Sequence, residues 1–149
     1  MAEQTIDFEL PVTEEAIKEF ALAVGEDDNP LFFDVDAARE RGFPGLLAPP
    51  TFTVRQIFEI PRDDREQRLG ANLDYARVLH GEQEFVYRRL PVAGEVLKGS
   101  MRIAKDFEKD GKRGGSMRFV TYETTYRDAA GDEVLTAYYT LIQTAKDVG

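Results

Sequence analysis

Apolar residues at positions 16, 17, 20, 21 and 24 recur at helical spacing and form one stripe. A first helix is therefore expected from about Thr13 to Val24. Thr13 can cap its N-terminus, Glu14 and Glu15 suit the positive end of the helix dipole, and Gly25 can take the left-handed conformation that closes it. Before it, residues 5–12, TIDFELPV, read as a short strand or extended arm ended by Pro11. A short helix is expected over Asp34–Arg41, capped by Asp34 or Asp36 and stopped by Gly42, with Gly42-Phe43-Pro44-Gly45 as a turn. A further helix starts near Pro50 or Thr51 and brings Phe52, Val54, Ile57 and Phe58 before Pro61 stops it. Its apolar residues fall on more than one side, which predicts burial.

Residues 61–78, PRDDREQRLGANLDYARV, are polar with mixed charges and no clean period, and read as a surface connection with one turn of helix at most. From Leu79 the period becomes two. LHGEQEFVYRRL, EVLKGSMRIAKDF, SMRFVTYETTYRD and EVLTAYYTLIQTA alternate or run apolar at strand length, separated by PVAG, EKDGKRGG and AAGD. That spacing predicts four antiparallel strands in a meander. The whole is an α+β pattern, helices first and sheet behind, with a sheet wrapped around a central buried helix. Its strand edges and uncovered apolar surface favour a dimer that continues the sheet.

At 149 residues, 42 % of them hydrophobic, the chain is expected to be a single domain over 1–149. It has no cysteine, so disulfides and thiolate–metal sites are excluded. Nineteen basic against twenty-eight acidic residues give a net charge of −9, which argues against nucleic acid as a partner. No window reaches the ~18 apolar residues of a membrane span, so a soluble protein is expected, and without cysteine nothing argues for an oxidising compartment, so the expected setting is cytoplasmic.

Candidate chemistry concentrates in VGEDDNPLFFDVDAARERGFPGLLAPPTF, Val24 to Phe52. The acidic cluster there does not make a calcium loop: counted from Asp27, the sixth position is Phe32 rather than glycine and the twelfth is Ala38 rather than glutamate. No metal is expected. The lone histidine, His80, reads as a strand-end residue, and no G-x-S-x-G motif is present. Gly111-Lys112-Arg113-Gly114-Gly115 joins two strands and is a hairpin, though its basic pair could touch a phosphate.

A set of motifs in order resembles the MaoC-like hydratase family. These are G-x-D-x-N-P at Gly25–Pro30, F-x-G-L-L-A-P-P-T-F at Phe43–Phe52, V-L-H-G-x-Q-x-F-x-Y at Val78–Tyr87 and P-V-A-G-x-x-L at Pro91–Leu97. The resemblance covers about residues 8–145. More narrowly, the chain is similar to the N-terminal, fatty-acid-synthase-type dehydratase branch, which includes subunits of heterodimeric (3R)-hydroxyacyl-thioester dehydratases. The resemblance implies a hot-dog fold and an acyl-CoA or acyl-ACP substrate that brings its own carrier, so that no separate cofactor is needed.

In that family an aspartate and a histidine in D-x-N-P-x-H hold the water that adds to, or leaves, an enoyl thioester. Asp27 and Asn29 match the motif; Phe32 stands at the histidine position. A phenyl ring moves no proton, so the acid–base pair is halved. Active relatives also place His-Gly where this chain has Pro49-Pro50, and proline offers no N–H to a thioester carbonyl, although Thr51 can. The resemblance thus implies the degenerate subunit of a hydratase, with Pro50, Thr51, Phe52 and Phe58 against the substrate and another hot-dog chain as hetero- or homodimeric partner. Two alternatives stand beside it: a non-catalytic acyl-thioester-binding homodimer, and a homodimeric hydratase pairing Asp27 with Glu26, Asp28 or Tyr87 as substitute acid.

Overall fold

The computed structural model describes residues 3–112 and 115–146. Five strands, β1 (Thr5–Pro11), β2 (Val78–Tyr87), β3 (Val96–Asp110), β4 (Ser116–Arg127) and β5 (Glu133–Gln143), form one antiparallel sheet in the order β1-β3-β4-β5-β2. Three α-helices accompany it: α1 (Glu14–Ala23), α2 (Val35–Glu40) and α3 (Arg62–Leu69).

The helix ends follow local chemistry. Thr13 accepts a hydrogen bond from the Ala16 N–H at 3.0 Å, and Gly25 at φ 79° ends the turn after α1. α1 buries Ala16, Ile17, Phe20 and Ala21, while Val24, also on the predicted stripe, is exposed. Asp34 caps α2 through the N–H groups of Asp36 and Ala37.

Only β3, β4 and β5 form the expected meander. β2 pairs with β5 instead of β3, because residues 91–95 are captured by the other end of the molecule. Pro91 accepts from the Ala48 N–H, the Ala93 N–H donates to Leu46, and the Gly94 N–H donates to Val12, whose own N–H returns to Glu95. These bonds carry the chain across the fold and deliver β3 beside β1. Period-two patterning identifies strands but says nothing about which strand each one meets.

Both cores lie on one face of the sheet. The first joins α1 to Leu46–Ala48, Phe52, Leu97, Tyr126 and Leu135. The second joins Ile60, Leu69, Ala71 and Leu73 to Ile6, Met101, Val120, Tyr122 and Leu141. Residues 61–78 are therefore more than a surface connection: α3 and the stretch after it cover half the sheet. Arg65 and Leu69 supply the buried face of a helix so polar that its period is masked.

The expected hot-dog fold class holds, but the helix between Pro50 and Pro61 differs in detail. It is a 3₁₀-helix of seven residues, Phe52–Phe58, with only Phe52 and Thr53 buried. Val54, Ile57 and Phe58 are 38 %, 58 % and 70 % exposed. Three residues per turn cannot hold all its apolar positions on one side. α1 and α3 provide the cover instead.

One glycine is required by packing. A Cβ on Gly99 would sit 2.3 Å from the ring of Phe8, which crosses β3 to meet Tyr126 edge-on at 5.9 Å.

Candidate active site

The turn after α1 is braced by its own side chains. Asn29 Oδ1 accepts the Leu31 N–H at 3.0 Å and caps the single 3₁₀ turn Pro30–Phe32. Phe32 is 4 % exposed and packs in the first core. Asp27 is exposed, and among the described residues its carboxylate has no hydrogen-bond partner. The Leu47 N–H donates to Leu31 O at 3.0 Å, which ties this turn to the segment leading to Thr51.

Thr51 stands at φ 74°, the left-handed region that a β-branched residue rarely occupies and that tends to mark functional sites. The conformation turns its N–H toward β2, where it donates to Tyr87 Oη at 3.0 Å. Pro49 and Pro50 offer no N–H, so this is the donor available at the start of the 52–58 helix. Burial pushes the Tyr87 hydroxyl up from its ordinary pKa, with the Thr51 N–H pulling slightly the other way. The phenol therefore keeps its proton at neutral pH and can donate it.

The candidate substrate residues separate. Phe52 is buried edge-on against Phe20 at 5.7 Å and serves the core. Phe58 is exposed beneath the Arg55 guanidinium and borders a small hollow with Leu10 and Pro11. Pro50 is exposed beside Thr51. No hydrogen bond links Asp27 to Thr51 or Tyr87 among the described residues.

A cavity of about 340 Å3 opens beyond Thr51, between the 52–58 helix, α3 and the β2–β5 pair. Its apolar walls are Val54, Ile57, Phe85 and Ala137; its polar groups include Thr53, Gln56, His80 and Gln83. Tyr126, fully buried on β4, donates to Gln56 Oε1 at 2.6 Å and so fixes the 52–58 helix over the cavity. The ring of Phe85 stacks on Tyr87 with centroids 6.0 Å apart, which makes the cavity wall continuous with the Thr51–Tyr87 contact.

Arg65 closes the cavity at its α3 side. It is 8 % exposed, stacks over Tyr122 at 4.5 Å, and donates to Tyr75 Oη at 2.7 Å and to Glu66 at 3.3 Å. Glu66 also accepts from Tyr122 at 2.6 Å, Tyr75 at 2.9 Å and the Leu73 N–H at 3.3 Å. Burial would raise the Glu66 pKa, but the hydrogen bonds from Tyr122, Tyr75 and Leu73, with the Arg65 charge, outweigh it and hold the carboxylate below its usual range. Burial also pushes the Tyr75 hydroxyl up to about 12.

Sequence reading passed over Arg65, Glu66, Thr53 and Gln83, and took His80 for a strand end. The available signal was the second half of V-L-H-G-x-Q-x-F-x-Y, whose alternate residues Gln83 and Phe85 face the cavity. Arg65 carried none, because a charged residue in a charged helix resembles solvated surface. At the opposite end of β5 from Tyr87, Lys109, Lys112 and Lys146 border an open hollow, where the Gly111 N–H closes the hairpin on Gly115 O. Arg113 of the predicted basic pair lies outside the described residues.

The sheet order, its one covered face and the cavity under a short helix define a hot-dog fold. The chain belongs to the FAS1-like, dehydratase domain region family, which it matches over residues 2–137. It is 38 % identical to a UPF0336 protein of Leifsonia xyli subsp. xyli over 138 residues, 88 % of this chain and 83 % of that one. A UPF0336 protein of Tropheryma whipplei is 36 % identical over 136 residues, 91 % of each chain. Among solved structures, it resembles a chain of the HadBC (3R-hydroxyacyl-ACP dehydratase) complex of Mycobacterium tuberculosis. The TM-score is 0.75 at 25 % identity, covering 95 % of this chain and 98 % of that one. A MaoC-like dehydratase aligns with a TM-score of 0.79 at 26 % identity, covering 95 % of this chain and 42 % of that one.

Proposed function

We propose that this chain is one subunit of an (R)-specific enoyl-thioester hydratase or (3R)-hydroxyacyl-thioester dehydratase, and that a second hot-dog chain supplies the proton-transfer pair. The observation that carries the reading is Phe32. It occupies the histidine position of the D-x-N-P-x-H pattern and is packed into the core, where it can neither take nor give a proton.

In hydration, the water oxygen bonds to C3 of the enoyl thioester and a proton is delivered to C2; dehydration reverses both. The partner's acid–base pair handles those protons. This chain contributes carbonyl polarisation through the Tyr87 hydroxyl, whose oxygen accepts the Thr51 N–H at 3.0 Å and whose own proton is left to donate, and an acyl wall of Val54, Ile57 and Phe85. A fixed donor at a carbonyl that gains negative charge lowers the barrier without any proton leaving this subunit.

The test is to purify the chain alone and with a co-encoded partner bearing D-x-N-P-x-H, and to assay crotonyl and longer enoyl thioesters. Activity that requires the mixture supports the reading; the chain alone should be slower by about 10²–10⁴-fold. Full activity of the chain alone, abolished by Asp27→Asn, would assign the reaction to a homodimer. In that second reading Tyr87, held beside Thr51, would be the substitute acid. Thioester binding with no turnover in any mixture would leave a non-catalytic binding homodimer.

A further inference from the structure

Four exposed residues of β2, Leu79, Glu82, Glu84 and Val86, share the face of the sheet opposite the cores. Gly81 bulges out of the ladder between His80 and Glu82, so the four follow one another at regular spacing, with an apolar residue at each end and two carboxylates between. Neither carboxylate has an ion-pair partner among the described residues, and opposite them on β5 stand Thr140 and Tyr138. The cations bordering the same hollow, Arg102 and Lys105, lie three strands away on β3, roughly 14 Å at ~4.8 Å per strand. That exceeds the ~8 Å over which exposed charges act at physiological salt, and Arg102 is engaged by Glu3 and Glu123.

The other edge of β2 is free, and these four positions decide what pairs there. Consider a second copy of this chain, laid antiparallel about a two-fold axis so that all nine ladder positions of β2 are paired. Leu79 then faces the copy's Val86, and Glu82 faces the copy's Glu84, each contact occurring twice. The apolar pairs favour the assembly. The two Glu–Glu pairs oppose it, because like charges directly across a ladder destabilise it. Sliding the copy by two positions either way shortens the pairing to seven positions and still sets Glu82 against Glu82, or Glu84 against Glu84. A slide of one position sets core-facing residues against outward ones.

We infer that the free edge of β2 is fitted to a strand of a different chain, with apolar residues facing Leu79 and Val86 and Lys or Arg facing Glu82 and Glu84. Rejection of like charge disfavours the chain's own copy, and attraction selects the complementary strand. The inference rests on the two-subunit reading above and names the chemistry of the second subunit's edge.

Sedimentation equilibrium and native mass spectrometry test it with this chain alone, because the double variant E82K/E84K carries the charges required of the partner. Mixed with the wild type, it sets lysine opposite glutamate in both central pairs. Mixed dimers should then exceed the roughly one half given by random exchange, and the excess should shrink as salt is added. The wild-type self-dimer should tighten with salt. Either single change, Glu82→Lys or Glu84→Lys, should tighten self-association about tenfold or more, since each converts both Glu–Glu pairs into Glu–Lys pairs. The variant E82Q/E84Q should tighten it about three- to tenfold, and with the salt series it decides the matter if the lysine variants do not fold. Random mixing, a wild-type dimer that salt weakens or leaves unchanged, or single lysine variants no tighter than wild type would each overturn the inference. Those results leave the two-subunit reading standing; that reading fails instead if the chain alone turns over enoyl thioesters at full rate.

Discussion

The Thr51 N–H and the Tyr87 hydroxyl meet at 3.0 Å across thirty-six residues of sequence, joining the start of the 52–58 helix to the end of β2. The contact exists because Thr51 adopts φ 74°, and a threonine in that region is strained by roughly 1–2 kcal/mol. Thr51→Gly should therefore stabilise the fold by about 0.5–1 kcal/mol, the strain relief less the entropy that glycine adds to the unfolded chain. Thr51→Val should not. Urea denaturation of the two variants checks this; a glycine variant less stable than wild type would show that the strain is compensated locally.

Tyr87→Phe removes the phenol and leaves the backbone N–H to water. In the active assembly, turnover should fall by up to 10²-fold with a small change in KM, because a donor to a developing oxyanion acts in the transition state. A change confined to KM would make Tyr87 a binding residue only.

β2 pairs on one side with β5 alone, and its other edge presents unpaired backbone beside exposed Leu79 and Val86. Ile57 and Phe58 add exposed apolar surface nearby in sequence to the cavity. A dimer or larger even assembly is expected by light scattering at micromolar concentration. A stable monomer would count against the shared-site reading.

The Arg65–Glu66–tyrosine cluster sets limits on the working pH. Glu66 has a folded pKa below its ordinary value, so its stabilisation is complete above the unfolded carboxylate range and disappears as pH falls through the folded value. Tyr75 behaves oppositely. Its pKa is raised to about 12, so the stability it contributes is complete below pH ~10 and is lost between there and about 12. Denaturant midpoints should fall at both extremes, and Glu66→Gln should flatten the acid limb.

Phe32→His and Pro50→Gly would supply this chain with the histidine and the backbone N–H that the family resemblance implies at these positions. Phe32→His exchanges a buried phenyl for a polar ring and should cost about 2–4 kcal/mol. Each alone should do little for hydration; together they should raise it by more than the product of the singles, since acid–base help and carbonyl polarisation act on one barrier. Circular dichroism establishes that the variants fold. A folded double variant that binds enoyl thioesters without gain would mean the site has diverged further.

Much of this protein is written locally in its sequence. The Thr13 cap, the stripe through Ile17 and Phe20, the Asp34 cap and the period-two strands depend on residues within a few positions of each other, so α1, α2, the strands and the α+β pattern were readable without coordinates, and the motif resemblance added the hot-dog class. That Phe32 stands where the D-x-N-P-x-H pattern has histidine is likewise a matter of sequence alone. Tertiary structure alone decided the rest. Bonds from residues 91–95 to Val12 and Leu46–Ala48 send β2 to the far edge of the sheet. The polar helix α3 turns out to cover a core, because Arg65 is neutralised by Glu66 and stacked on Tyr122, contacts formed only once the sheet is assembled. The cavity is of the same kind: Thr53, Arg65 and Gln83 come together only when three distant segments pack, and no local pattern carries that meeting.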